Sequence, residues 1–279
     1  MKNNQKTATN GIKCIVVCAD DFGMHSGIDV AVLRLAEMGR VSATSCLVDG
    51  ASFAHHARAL GASGLQIGLH LNFTERLDSD VDPQALYAPV STLIARSYLR
   101  QLDCDRVRRQ IARQLDRFEA VLGCRPDFID GHQHVHQLPQ IRQCLMAELA
   151  HRYRNKLLWI RNTRMGRLGM TGSFRYKAGV IQALGSSAMA RLAREARFAV
   201  NQDFLGVYDF QGGRAAYGRL LKMWFGAAGG ASVLMCHPCD RPARGVLGEQ
   251  RVAEFDVLAD GSTAGWLEEY GLSVGGFSA

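Results

Sequence analysis

The segment Asp130-Gly131-His132-Gln133-His134-Val135-His136 places a carboxylate and three imidazoles within seven residues. Neutral imidazole is the commonest protein ligand for a transition metal, and it also moves protons near neutral pH. Asp20-Asp21, His70, Arg161 and His237-Pro238 carry the other reactive types. A carboxylate with two imidazoles can hold a divalent cation and leave positions open for water and substrate. A second carboxylate can accept a proton, and a further histidine can return one. Each group alone has a plainer reading. Asp20-Asp21 before Phe22-Gly23 can cap a helix or close a turn, and His70 can be a hydrogen-bonded core histidine. His237 can be a turn residue constrained by the proline after it, and Arg161 a structural ion-pair partner.

The elements that must position these groups argue for a joint role. Lys13-Cys14-Ile15-Val16-Val17-Cys18-Ala19 is a continuous apolar run that reads as a buried parallel strand stopped by Asp20-Asp21. Further strands are predicted at 42–48, 65–69, 126–129, 157–160 and 232–236, with a weaker one around 204–210, about seven in all. Helical spacing is read over 26–38, 52–60, 103–122, 139–150, 178–199, 215–225, 249–258 and 263–270, and residues 72–90 and 162–177 read as long loops. This alternation predicts an α/β fold, a distorted or incomplete (β/α) TIM-like barrel of mostly parallel strands. Asp20-Asp21, His70, His132, Arg161 and His237 each follow a different predicted strand, so the barrel would gather them on one face. If 130–136 stays extended, its three imidazoles point to one side.

No linker divides the chain, so residues 12–279 read as a single domain behind a polar, disordered tail over 1–11. There is no apolar leader segment and no apolar run long enough to span a bilayer. Eight cysteines, several of them within or beside apolar segments, point to free thiols in a reducing cytoplasm. The formal charge of +7 is concentrated in Arg96–Arg117 and Arg191–Arg197. Solvated helix faces account for it, with attraction to an acidic surface as the alternative. No nucleic-acid recognition module is present, nor G-x-S-x-G, a P-loop or G-x-G-x-x-G after the first strand.

The motifs Ala19-Asp20-Asp21-Phe22-Gly23-Met24, Gly39-Arg40-Val41-Ser42-Ala43-Thr44-Ser45, Gly68-Leu69-His70-Leu71, Asp130 to His136 and His237-Pro238 occur in one order. That order resembles the YdjC-like carbohydrate deacetylases, which include chito-oligosaccharide and hopanoid-biosynthesis-associated deacetylases. The resemblance runs from about residue 13 to 240. It implies a distorted barrel, a divalent metal (Mg by the resemblance, while two imidazoles and a carboxylate suit Zn, Co or Ni), a homodimer, and removal of N-acetyl groups from an amino-sugar-containing carbohydrate or glycolipid. It implies His70 and His132 as metal ligands with Asp21 as the third, Asp20 as base and His237 as acid; the exchange of Asp20 and Asp21 stays open. Arg161, His134 and His136 are assigned to substrate binding. The chain departs from the family pattern at Gln133, where His is usual, and at Cys239, where Gly is usual after His-Pro. A metal-dependent phosphoesterase and a catalytically silent sugar- or lipid-headgroup-binding protein are the alternatives.

Overall fold

A computed structural model of the chain describes residues 12–77, 85–154, 157–166, 173–242 and 248–278. The expected tail over 1–11 lies outside them, as do 78–84 and 167–172 within the two expected loops. The described elements run β1 (Lys13–Phe22), α1 (Ser26–Glu37), β2 (Ala43–Cys46), α2 (Phe53–Gly61), β3 (Gln66–Leu71), α3 (Val90–Tyr98), α4 (Cys104–Leu122), β4 (Phe128–Gly131), α5 (Ile141–Arg152), β5 (Trp159–Ile160), α6 (Ser173–Ala183), α7 (Ser186–Glu195), β6 (Ala199–Val200), β7 (Asp203–Leu205), α8 (Gly213–Ala227), β8 (Ser232–Cys236), α9 (Gly248–Ala259), α10 (Gly261–Glu269) and β9 (Leu272–Val274). Among the described residues no helix is long and apolar enough to cross a membrane.

The strands pair in the order β6-β5-β4-β3-β2-β1-β8-β7, all parallel, with β9 beside the start of β1. β6 and β7 end this path on opposite sides, yet only Asn201 and Gln202 separate them in sequence. Successive Cα atoms are 3.8 Å apart, so these edges can lie no more than about 11 Å from each other. The sheet must therefore curl into a barrel that lacks one ladder. Asn201 spans the seam: its amide oxygen accepts from the Asn162 N–H at 2.6 Å, and its nitrogen donates to the carbonyls of Asn162 (2.8 Å) and Asp203 (2.9 Å). The fold is the incomplete (β/α) barrel that the alternation predicts.

Strand parity divides the core. Ile15, Val17 and Ala19 pack outward under the helices, whereas Val16 and Cys18 join Phe128, Trp159, Phe204, Val233 and Met235 inside the barrel. Phe128 stacks on Trp159 at 4.3 Å between ring centroids. Its ring fills the space beside Gly68, where a Cβ would sit 2.5 Å from it. One step further along the same parity stand Asp20, His70, Asp130, Arg161 and His237. The inner layer of apolar side chains thus supports a layer of polar ones at the C-terminal mouth.

Three expectations are corrected. β1 is not stopped by Asp20-Asp21 but continues through both to Phe22, with a register shift against β2 between Ala19 and Phe22. The predicted helix over 178–199 is two helices broken at Gly185, whose φ of 146° a helix cannot hold. A Cβ there would also lie 2.1 Å from the Gln137 carbonyl oxygen. Residues 72–90 are not wholly irregular up to their end, since α3 begins at Val90.

Candidate active site

Parity alone would send Asp20 and Asp21 to opposite faces of β1. The φ of Asp21 is 70°, in the left-handed region, and it coincides with the register shift in the strand. Both carboxylates consequently open on the same cavity, although each is almost fully buried. A non-glycine residue held in this conformation stores strain, which is common at functional sites.

Asp21 is the meeting point of two imidazoles. Its Oδ1 lies 3.3 Å from His70 Nε2 and 3.0 Å from His132 Nδ1, and its Oδ2 accepts from Arg251 at 2.5 Å. The ligand atoms of Asp21, His70 and His132 all fall within 4.8 Å of one another. Carboxylates occupy the far nitrogens of both rings. Asp130 Oδ1 lies 2.6 Å from His70 Nδ1, and Glu75 Oε1 lies 3.2 Å from His132 Nε2. Burial opposes charge on both rings, but Asp130 raises His70 to about 10 and Asp21 raises His132 to about 9. Burial likewise works against an ionised Asp21, yet Arg251, then His132 and His70, hold it well below the usual carboxylate range.

Asp20 belongs to a neighbouring network. Arg161 grips it with two parallel bonds, Nη1 to Oδ2 at 2.6 Å and Nη2 to Oδ1 at 2.7 Å, and reaches Asp130 Oδ2 at 2.8 Å. The Ser45 hydroxyl stands 3.1 Å from Asp20 Oδ1 and 3.0 Å from His70 Nδ1, tying the two networks together. Cys18, Asp20 and Asp130 also converge closely enough to suggest a cation site. The guanidinium of Arg161 fills that role, bonded to Asp20 and close to both Cys18 Sγ (2.9 Å) and Asp130. Against the opposing effect of burial, Arg161 keeps Asp20 ionised far below its ordinary value.

His237 follows β8 and faces the cavity from the other side. Its backbone N–H donates to Glu254 Oε2 at 2.6 Å, and its ring edge meets Phe210 at 5.1 Å. Nδ1 is buried without a hydrogen-bond partner among the described residues. Burial first, and Arg251 second among the opposing influences, bring this imidazole down to about 4, so it is neutral at rest.

The three histidines of 130–136 do not share one direction. Gln133 and His134 have φ of 52° and 61°, so the segment coils instead of extending. His132 turns to Asp21, and His134 lines the cavity with its ring edge-on to Phe204 at 5.4 Å. His136 is fully buried, its Nε2–H donating to the Arg161 carbonyl at 2.9 Å. Arg161 is itself 0% exposed and absent from the cavity wall. Among the described residues, neither Arg161 nor His136 is placed to touch a substrate as expected. Arg161 holds Asp20 and Asp130 from beneath, and His136 holds the Arg161 backbone.

The cavity measures about 810 Å³. Its polar floor comprises Asp20, Asp21, His70, His132 and His237, with Glu75 and Arg251 beside them. Apolar side chains including Ile28, Val90, Ile94, Ile181 and Leu184 build the walls. Sequence reasoning missed Asp130 as a partner of His70, along with Glu75, Arg251 and Glu254. Asp130 had a signal, because it obeys the parity that places His70. Arg251 and Glu254 sit on α9 among other charged residues, with nothing in the sequence to mark them.

Comparison with known proteins follows the same lines. A chitooligosaccharide deacetylase of Serratia marcescens is 35% identical over 134 residues, covering 46% of this chain and 53% of that protein. A human carbohydrate deacetylase is 32% identical over 146 residues, 48% of this chain and 45% of that protein. These matches span about half the length of each relative. Among solved structures, one from Enterococcus faecalis V583, proposed as a cellobiose-phosphate cleavage protein, superposes with a TM-score of 0.69 at 21% identity over 94% of this chain and 96% of that one. A peptidoglycan N-acetylglucosamine deacetylase does so with a TM-score of 0.52 at 14% identity, over 96% and 86%. At such identities the superpositions speak for the barrel alone. The model of the family described as YdjC-like protein matches residues 14–269, nearly the whole chain, which therefore belongs to the YdjC-like family.

Proposed function

We propose that this chain is a metal-dependent hydrolase that removes an N-acetyl group from an amino-sugar-containing carbohydrate or glycolipid. The observation that carries the reading is the convergence of Asp21, His70 and His132 on the floor of a cavity that Asp20 and His237 also face. Two relatives named as deacetylases of carbohydrates support it over the matched half.

The donor set fits a divalent cation. It combines one carboxylate and two imidazoles, and a carboxylate on the far side of each ring can fix the tautomer and raise ligand basicity. Asp21, His70 and His132 would hold the ion; by ligand type Zn, Co or Ni suit them, and the family resemblance adds Mg. Such an ion supplies Lewis-acid polarisation of an acetyl carbonyl and makes water more acidic.

The chain's own groups supply position and proton transfer. Asp20 is the base: it lines the cavity as a carboxylate, with both oxygens oriented by Arg161. Arg161 lowers its basicity and fixes its direction. His237 is the acid. Its depressed pKa makes it a strong donor once protonated, so its proton has to arrive during turnover, not wait in the resting site. Proton delivery matters because an unprotonated amine is a poor leaving group. His134, Lys177 and the apolar walls surround the remainder of the substrate, and those walls suit an apolar aglycone. The free state of all eight cysteines supports a reducing, cytoplasmic setting, and a homodimer rests on the family resemblance.

The test is acetate release across N-acetylated sugars, oligosaccharides and glycolipids with the metal varied, run beside phosphate release from phosphorylated amino sugars. Metal-dependent acetate release that His132→Ala abolishes, together with metal binding, is the expected result. Phosphate release alone, or an active and metal-replete His132→Ala protein, would overturn the reading.

A further inference from the structure

Seven large hydrophobic side chains are exposed among the described residues, and four of them cluster on one feature. Tyr98 and Leu99 lie at the end of α3, and Tyr176 and Val180 lie on α6. Leu99 is 66% and Tyr176 79% exposed. The α3 stripe that ends at Tyr98 runs back through Ile94 and Val90, which line the cavity wall, and on α6 Ile181, next to Val180, lines it too. The helices meet where the Tyr98 hydroxyl donates to the Ala183 carbonyl at 3.5 Å. Apolar surface therefore continues from the inside of the cavity, over its lip, to the outside of the protein. A patch of this kind on a soluble protein marks an interaction site.

The charge of the lip is one-sided. Residues 90–102 and 173–194 contain no Asp or Glu, but they include Arg96, Arg100, Arg175, Lys177, Arg191 and Arg194. Arg100 and Arg191 are close enough to Arg142 that, after burial, their like charge helps to depress it, with Tyr98 acting the other way. The acids that face this set are Glu195, 3.9 Å from Arg191 in an exposed pair, and Asp209, whose charge acts on the cavity-lining Lys177. Aromatic and aliphatic tips flanked by arginines on helix ends are the composition of a surface that lies in a lipid interface. A second copy of the chain meeting this lip through a two-fold axis would set arginines against arginines.

We propose that the lip formed by α3 and α6 is a docking surface for an anionic lipid bilayer, with Tyr98, Leu99, Tyr176 and Val180 entering the headgroup region and Arg96, Arg100 and Arg175 pairing with lipid phosphates. This goes beyond the hydrolase reading and stands without it, because the measurement does not involve turnover.

The experiment is co-sedimentation of the full chain with vesicles of phosphatidylcholine alone and of equimolar phosphatidylcholine and phosphatidylglycerol, at low and at physiological salt. Binding to the anionic vesicles, weakened by salt, is expected. Each juxtamembrane basic residue is worth about 1 kcal/mol, so Arg100→Glu should reduce partitioning about tenfold or more. Leu99→Glu with Tyr176→Glu should reduce it at least as much, since both side chains insert. These positions are exposed, so thermal unfolding and metal binding of the variants should match wild type. No binding to anionic vesicles at low salt would overturn the proposal, and so would equal binding by wild type and variants. A loss of self-association in Leu99→Glu, with vesicle binding unchanged, would assign the lip to a second copy and overturn it as well.

Discussion

The Nδ1–H of His70 donates to Asp130 Oδ1 at 2.6 Å, which leaves the Nε2 edge of the ring turned toward Asp21 at 3.3 Å. Strand pairing sets this relationship, because His70 and Asp130 are register partners in the β3–β4 ladder. The carboxylate therefore selects the tautomer, and its backbone is fixed by the same ladder that fixes the ring's.

Asp130→Asn tests this. The amide oxygen can accept from His70, but the amide nitrogen then faces Arg161 Nη2, donor against donor; the flipped amide opposes the His70 donor instead. Either way one buried partner is lost. Metal affinity measured by calorimetry should fall about 10- to 100-fold, the usual cost of losing a carboxylate behind a ligand histidine. Wild-type affinity in a folded Asp130→Asn protein would falsify the assignment of Asp130 to orienting His70.

Arg161 is predicted to set the acid limit of the reaction. Burial pushes Asp20 toward the neutral form, and Arg161 is the largest influence opposing it. With Arg161→Gln, burial goes unopposed by the guanidinium and the carboxyl pKa rises toward or above its ordinary value. The base is then lost as pH falls. In kcat/KM profiles the acid limb should move to higher pH, with activity falling about tenfold for each pH unit below the new pKa. An acid limb in the same place as wild type would show that Arg161 does not govern Asp20. The variant should also unfold more easily, by about 3–5 kcal/mol, because two buried carboxylates lose their cation.

Much of the site was legible in the sequence, and its limits have physical causes. Apolar runs located β1, β3, β4, β5 and β8, though not where β1 ends, and parallel pairing gathers the C-terminal ends of such strands on one face. That much placed Asp20, Asp21, His70, His132 and His237 together. Direction was not legible where the backbone leaves the extended state. Asp21, Gln133 and His134 all adopt positive φ, and no residue type there announces it. For this reason the shared orientation expected of the three imidazoles failed. β6 and β9 are two and three residues long, too short to leave a periodic pattern. Contacts from α9 were invisible because Arg251 and Glu254 read as ordinary helix-surface charges until tertiary packing buried them.

Gly68 should tolerate no side chain. Its Cβ would lie 2.5 Å from the Phe128 ring, which is held by its stack on Trp159 and cannot retreat. Gly68→Ala should lower the free energy of unfolding by about 1–3 kcal/mol, as overpacking does. Because the clash is specific to the ring, Phe128→Leu in the same chain should recover part of the loss. Urea denaturation of the two single variants and the double variant measures this, and strict additivity would remove the ring from the explanation.

Glu254 yields the last prediction, a stability change with a defined sign. Its carboxyl lies wholly buried beneath the His237 turn, accepting from Tyr208 at 2.5 Å and from the His237 N–H at 2.6 Å. Those bonds and Arg251 favour the anion, but burial dominates and raises the pKa from 4.5 to about 7. The folded protein therefore holds a proton that the unfolded chain has already released. Below about pH 4.5 both states are protonated and the full contribution to stability is present; it is lost as pH rises through about 7 and stays lost above it. The shift corresponds to about 3 kcal/mol of declining stability across that window. Glu254→Gln cannot titrate, so its advantage over wild type should grow from about pH 5 to about pH 8 and then level off. Urea denaturation at intervals through that range checks it. A difference between the two proteins that does not change with pH would mean that Glu254 is already ionised in the folded state, held as an anion by Tyr208, the His237 amide and Arg251.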